Sequence, residues 1–155
     1  MFSSLQELFD NFTAGSPDET AAGGEHSLRL AAAVLLVEVM RAEPSFDPAE
    51  REAVFAALRS RFLLGEAELA QLVEQAETQA RRANDFFHFT SRINDDFSHP
   101  EKIALVEAMW QVAYADGLLD AAENHVISKV AGLLHVTHGE YIAAKLRAKE
   151  AAGLG

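Results

Sequence analysis

Two short acidic segments carry the side chains of this chain that are best suited to chemistry. The first runs from Glu43 to Glu50 and the second from Asp116 to Glu123, and each holds three carboxylates within eight residues. Clustered oxygen ligands on a turn suit a hard divalent cation such as Mg²⁺ or Ca²⁺. We therefore predict a cation site at these turns. The candidate ligands are Asp116, Asp120, Glu123, Glu43, Asp47 and Glu50.

Helix capping is a second explanation for four of these six carboxylates. Asp47 with Glu50, and Asp120 with Glu123, have the spacing of a capping box at the start of a helix. In such a box the first side chain accepts a hydrogen bond from a helix amide, and the glutamate reaches back to the first residue. A purely structural role therefore stays open beside the cation site.

Capping does not account for Asp116 or Glu43. Each follows a predicted helix, and the dipole at a helix C-terminus disfavours negative charge. Gly117 permits a left-handed turn that would fold Asp116 towards the other two carboxylates of its segment. The second segment also matches the second half of an EF-hand loop, but Val112 and Tyr114 stand where the first half needs acidic ligands. We expect a weak site with few protein ligands, which Mg²⁺ tolerates because it keeps several waters.

Apolar residues recur at helical spacing along nearly the whole chain, and no segment alternates as a strand does. The sequence predicts an all-α protein, a single-domain bundle of about seven to eight helices. The predicted helices span residues 3–12, 25–42, 47–62, 66–82, 85–96, 99–115, 120–134 and 138–150.

A weak internal repeat relates each residue to the residue 73 positions later. Val39 then matches Val112, and the acidic segment that begins at Glu43 matches the one that begins at Asp116. Each unit reads as helix, acidic turn, helix, short turn, helix. We predict two similar halves that bury their apolar stripes against each other.

The N-terminus precedes this repeat. Residues 1–24 are predicted to form a short helix and a flexible connection, the latter over 13–24, ahead of a helical domain at residues 25–150. One face of the short helix is apolar and carries Phe2, Leu5, Leu8, Phe9 and Phe12. We interpret it as an arm docked on the core. A membrane-surface anchor is the alternative, although the nearby polar residues are acidic, whereas such anchors are basic.

Composition excludes several function classes. The net charge of −11 opposes binding to nucleic acid. The chain has no cysteine, which excludes disulfides and thiolate nucleophiles and fits a cytoplasmic location. The start of the chain lacks the pattern of a signal peptide. The longest apolar run, Leu30 to Val37, is too short to span a membrane.

No catalytic motif is present. The chain has no nucleophile elbow, no phosphate-binding loop and no dinucleotide fingerprint. A metal-dependent hydrolase would need a base or a phosphate-binding group beside an acidic turn, and the sequence shows neither. We therefore predict that the protein is not an enzyme.

The run from Trp110 to Gly117, followed by Asp120, Glu123 and Leu133–Val136, resembles the TerB-like family of tellurite-resistance proteins. An earlier stretch, from Glu25 to Glu38 and then Asp47 to Arg51, is similar to the first half of that family. The likeness extends from Glu25 to Arg147. It implies an all-α domain of two similar halves whose acidic turns bind a divalent cation. By motif match these turns supply the six carboxylates given above, with Glu43 in place of the usual aspartate and Pro44 in place of a small residue.

The resemblance implies a non-enzymatic stress-response module, with a divalent cation and an unidentified protein partner. A structural interaction domain without metal and a metal-dependent hydrolase are the alternatives. Because the chain has no cysteine, it cannot reduce tellurite through thiols.

Overall fold

The computed structural model describes residues 17–42, 47–117 and 119–154. Within these ranges the chain forms seven helices and no strand, which confirms the predicted all-α class. The helices are α1 (Pro17–Ala42), α2 (Pro48–Arg61), α3 (Glu66–Arg82), α4 (Phe87–Asp96), α5 (His99–Ala113), α6 (Ala121–Leu133) and α7 (His138–Ala151).

The start of α1 differs most from the prediction. The helix begins at Pro17, so residues 17–24 are helical where the sequence predicted a flexible connection. Proline suits the first turn of a helix, and Arg92 of α4 donates to the Gly24 carbonyl at 2.8 Å, which holds this part of α1 against α4. The predicted helix over 3–12 lies outside the described residues. The division of the chain at residue 24 stays a prediction.

Helix α1 is the centre of the bundle. It packs against α2, α3, α4, α5 and α6. Every residue from Ala31 to Val37 is buried, and so is Val39. A helix that is covered on all sides must be apolar on all faces, which explains the continuous run of apolar residues in this segment.

The two predicted halves are present in the structure. Helices α1, α2 and α3 form one half, and α5, α6 and α7 form the other. In each half the first helix packs most extensively against the third. The second helices begin at Pro48 and Ala121, which matches the repeat of 73 residues found in the sequence. Among the described helices α4 has no separate counterpart, and it contacts α1 and α6, one helix from each half.

The first turns of α5 and α7 are held by reciprocal capping boxes. Ser98 Oγ accepts the Glu101 amide at 3.3 Å, and the Glu101 carboxylate accepts the Ser98 amide at 2.7 Å. Thr137 and Glu140 form the same pair of bonds, at 3.2 and 2.9 Å. His99 Nε2 lies 2.8 Å from the Glu140 carboxylate and so joins the two helix starts. The Thr137 amide, and then His99, lower the pKa of Glu140.

The basic residues of α7 pack against α5. Arg147 Nε donates to the Glu107 carboxylate at 2.7 Å. The Lys145 ammonium lies 5.1 Å from the centre of the Trp110 ring, a cation–π contact. These contacts strengthen the largest interface of the second half.

The turn between α5 and α6 depends on a left-handed glycine. Gly117 has a φ of +83°, as its place beside Asp116 predicted, and its amide donates to the Tyr114 carbonyl at 2.9 Å. A side chain at Gly117 would meet no atom within 4 Å, so only the backbone conformation requires glycine here.

We expect Leu35→Ala to lower the free energy of unfolding by about 2–5 kcal/mol, because it opens a cavity beside the central helix. Leu35 is 0% exposed, whereas Leu63 is 98% exposed. The matched control Leu63→Ala should change stability by less than about 0.5 kcal/mol. Urea denaturation followed by circular dichroism measures both variants. Equal effects would show that α1 is not the centre of the core.

We expect Gly117→Ala to destabilise the fold by about 1–2 kcal/mol, because alanine disfavours a positive φ. Gly132 lies in α6 with free space around its Cα. Gly132→Ala should therefore stabilise the fold by up to about 1 kcal/mol. Thermal melts of the two variants should shift in opposite directions, and an unchanged or higher melting temperature for Gly117→Ala would contradict the role of Gly117.

Candidate metal-binding turns

The second acidic turn begins α6 with a complete capping box. Asp120 Oδ1 accepts the Ala122 amide at 2.7 Å, and Glu123 Oε1 accepts the Asp120 amide at 3.1 Å. This confirms the capping role that the sequence predicted for both carboxylates. Each carboxylate offers about four lone-pair sites, so a capping bond does not prevent it from binding an ion as well.

Glu123 is more deeply buried than its capping role requires. The residue is 0% exposed. In the capping boxes of α5 and α7, the equivalent side chains of Glu101 and Glu140 remain 42% and 32% exposed. The same local motif thus occurs at the surface in two helices and in the interior at α6.

The first acidic turn shows the same feature as far as the structure describes it. Asp47 Oδ1 accepts the Ala49 amide at 2.8 Å and caps α2. Glu50, the repeat equivalent of Glu123, is also 0% exposed. The candidate ligand Glu43, with Pro44 and the two residues after it, lies outside the described residues.

Glu50 and Glu123 are the only fully buried carboxylates in the described part of the chain. The third buried polar residue there, Thr90, donates its hydroxyl to the Phe86 carbonyl of the preceding turn. Moving a carboxylate out of water costs several kcal/mol unless charge and hydrogen bonds compensate for it. Local spacing predicted the two glutamates as candidates, but it gave no sign that both would be buried.

Asp116 lies in the turn after α5 and is partly exposed. Across 17–42, 47–117 and 119–154, no three histidine, aspartate or glutamate side chains form a group that could hold a metal ion. The turn therefore places Asp116, Asp120 and Glu123 along one short segment without a preformed cage of three carboxylates. An ion at this turn would need backbone carbonyls and water to complete its coordination shell.

An aromatic cluster lies directly before the second turn. The Trp110 ring stacks on Tyr114, with the ring centres 6.0 Å apart, and lies 5.3 Å from the Tyr141 ring. Burial raises the pKa of Tyr114. Because Trp110 is the only tryptophan in the chain, its fluorescence can report on changes at the adjacent turn.

None of the helices in the described ranges combines the length and the apolar character that crossing a membrane requires.

Comparison with known proteins identifies one family. The family described as Tellurite resistance protein TerB matches residues 29–146, more than half of the chain. No curated protein and no solved structure matches the chain. The match lies within the stretch from Glu25 to Arg147 on which the sequence resemblance was based, and it includes all six candidate carboxylates. The chain belongs to the TerB tellurite-resistance family.

Proposed function

We propose that this protein is a non-enzymatic stress-response module that binds a divalent cation at its second acidic turn and presents a surface to a partner protein. Membership of the tellurite-resistance family supports the biological setting. In this proposal the protein acts in the cytoplasm, as its lack of cysteine suggests.

The complete burial of Glu123 is the observation that carries the proposal. Its carboxylate lies at the start of α6, one helical turn from Asp120 and in the same segment as Asp116. A cation at the turn would reduce the repulsion among these negative charges, in addition to the contacts that Glu123 already makes within the protein. The capping boxes of α5 and α7 form with glutamates that remain partly exposed, so helix capping alone gives no reason for this burial.

Mg²⁺ fits such a turn better than a tightly bound Ca²⁺. Ca²⁺ takes six to eight oxygen ligands, whereas Mg²⁺ keeps several waters and needs only one or two carboxylates. In the proposed site Glu123 and Asp120 supply oxygen ligands, and Asp116 adds negative charge. The first turn, with Glu43, Asp47 and Glu50, would form a second and weaker site because Pro44 stiffens it.

We expect the full-length protein to gain thermal stability when Mg²⁺, Ca²⁺, Mn²⁺ or Zn²⁺ is added. An ion at about 100 times its Kd should stabilise the fold by about 2.7 kcal/mol. Calorimetric titration measures the affinity, and the fluorescence of Trp110 should change along the same binding curve. If no ion gives heat, a melting shift or a fluorescence change, the cation site does not exist.

A matched pair of glutamate substitutions locates the site. Glu123→Gln keeps the shape of the buried side chain and removes its charge, and it should weaken ion binding about tenfold or more. Glu140→Gln makes the same change in the exposed capping box of α7 and should leave ion binding unchanged. Equal affinities for the two variants would place any bound ion elsewhere on the protein.

A purely structural interaction domain is the second candidate. Asp47 and Asp120 both serve as helix caps, and the described residues form no group of three metal-binding side chains. On this hypothesis Asp116→Asn should leave stability unchanged or slightly higher, both with and without added ions. A loss of stability in Asp116→Asn that appears only in the presence of an ion would exclude this candidate.

A further inference from the structure

An open apolar groove runs between α2 and α5, with α1 at its base. Its volume is about 520 Å³, and it lies apart from both acidic turns. Its walls are formed mainly by small and aromatic side chains. They include Ala53, Ala57, Phe62, Phe97, Ala104 and Ala108.

The alanines make this groove suited to a helix. Alanine side chains leave space into which bulky side chains of another helix can pack, as in other complexes in which an amphipathic helix lies in a groove. Ala56 and Ala104 are exposed on opposite walls, whereas Leu36, Leu58 and Leu105 at the base are buried. The groove thus offers an apolar surface along the sides of two neighbouring helices.

The chain itself contains a segment of complementary character. The residues before Pro17 lie outside the described part of the structure, and their sequence places large apolar residues at helical spacing on one face. These residues are Phe2, Leu5, Leu8, Phe9 and Phe12. Polar residues occupy the other positions of the same stretch. The large phenylalanine and leucine side chains of this face can pack into the space that the small alanine side chains leave in the groove.

We propose that this N-terminal arm, residues 2–12, docks as a helix in the groove between α2 and α5 of its own chain. The arm precedes α1, so its position is limited by the distance from Pro17 to the groove. Ala32 and Leu36, at the base of the groove, lie about 22 and 28 Å along the α1 axis from Pro17, at 1.5 Å per residue.

The length of the arm matches this distance. Residues 13–16 span about 13 Å when extended, and a helix over residues 2–12 adds about 15 Å from Phe12 to Phe2, so the arm reaches about 28 Å from Pro17. The stretch of α2 that lines the groove, from Ala53 to Arg61, is about 12 Å long. The arm helix is therefore long enough to cover the groove, and Leu5 lies about 24 Å from Pro17, close to the level of Ala32 in the groove that Ala104 also lines.

Disulfide trapping tests this position of the arm. Because the chain has no native cysteine, only the two introduced thiols can form a disulfide. The full-length double variant Leu5→Cys/Ala104→Cys places one thiol on the arm and one on the wall of the groove. The control Leu5→Cys/Ala143→Cys moves the second thiol to an exposed position on α7, away from the groove. Both variants are oxidised with glutathione at low protein concentration and analysed by mass spectrometry without reduction.

We expect an intramolecular disulfide in most molecules of the groove variant and in few molecules of the control. Disulfide formation requires Cα atoms within about 7 Å, so it reports close contact. A disulfide between two molecules would assign the groove to the arm of a second copy and overturn the proposal. Equal trapping in both variants, or trapping in neither, would also overturn it.

A second measurement does not depend on disulfide geometry. Phe9→Asp places a charge on the apolar face of the arm, and Gln6→Asp places the same charge on its polar face. If the arm covers the groove, Phe9→Asp should release it and raise the fluorescence of the apolar dye ANS about twofold or more, whereas Gln6→Asp should leave the fluorescence unchanged. Equal fluorescence for the two variants would contradict docking. Neither measurement involves the acidic turns, so the outcome is independent of the proposed cation site.

Discussion

The enclosure of the middle of α1 is the constraint on which the rest of the fold depends. Five helices pack on it, and its middle section, from Ala31 to Val37, has no solvent-exposed face. Near its end the Glu38 carboxylate pairs with Arg41 at 2.9 Å, and Arg41 also donates to the Ala80 carbonyl of α3 at 3.3 Å. Burial raises the pKa of Glu38, and the pair with Arg41 offsets only part of that effect. The charge of Glu38 thus lies just after the section of α1 that is buried on all sides.

The duplicated architecture gives one local motif two different environments. The glutamate that closes a capping box is partly exposed at Glu101 and Glu140, in the first turns of α5 and α7. At Glu50 and Glu123, in the middle helix of each half, the residue at the same helical position is fully buried. The difference arises from what packs over each helix start. The burial of Glu123 distinguishes the proposed cation turn from the helix caps of α5 and α7.

Several features followed from short-range patterns in the sequence. The start and end of α3 were predicted correctly, and the caps at Ser98, Asp120 and Thr137 form as their spacing indicated. The left-handed turn followed from Gly117 itself. The start of α1 at Pro17 was missed because Gly15, Pro17, Gly23 and Gly24 together predicted a flexible connection. Each glycine costs a helix about 1 kcal/mol relative to alanine, but a tertiary contact holds this segment, since Arg92 donates to the Gly24 carbonyl at 2.8 Å.

The sequence by itself determined the seven described helices apart from the start of α1, the caps at Ser98, Asp120 and Thr137, the repeat and the family resemblance, because each of these depends on residues within a few turns or on a direct comparison of two segments. Only the tertiary structure decided that Glu50 and Glu123 are buried, and that α2 and α5 leave a groove lined by alanines. Burial depends on which helices pack over a residue, and those helices come from distant parts of the chain. A carboxylate at a helix start has the same local sequence whether water or another helix covers it.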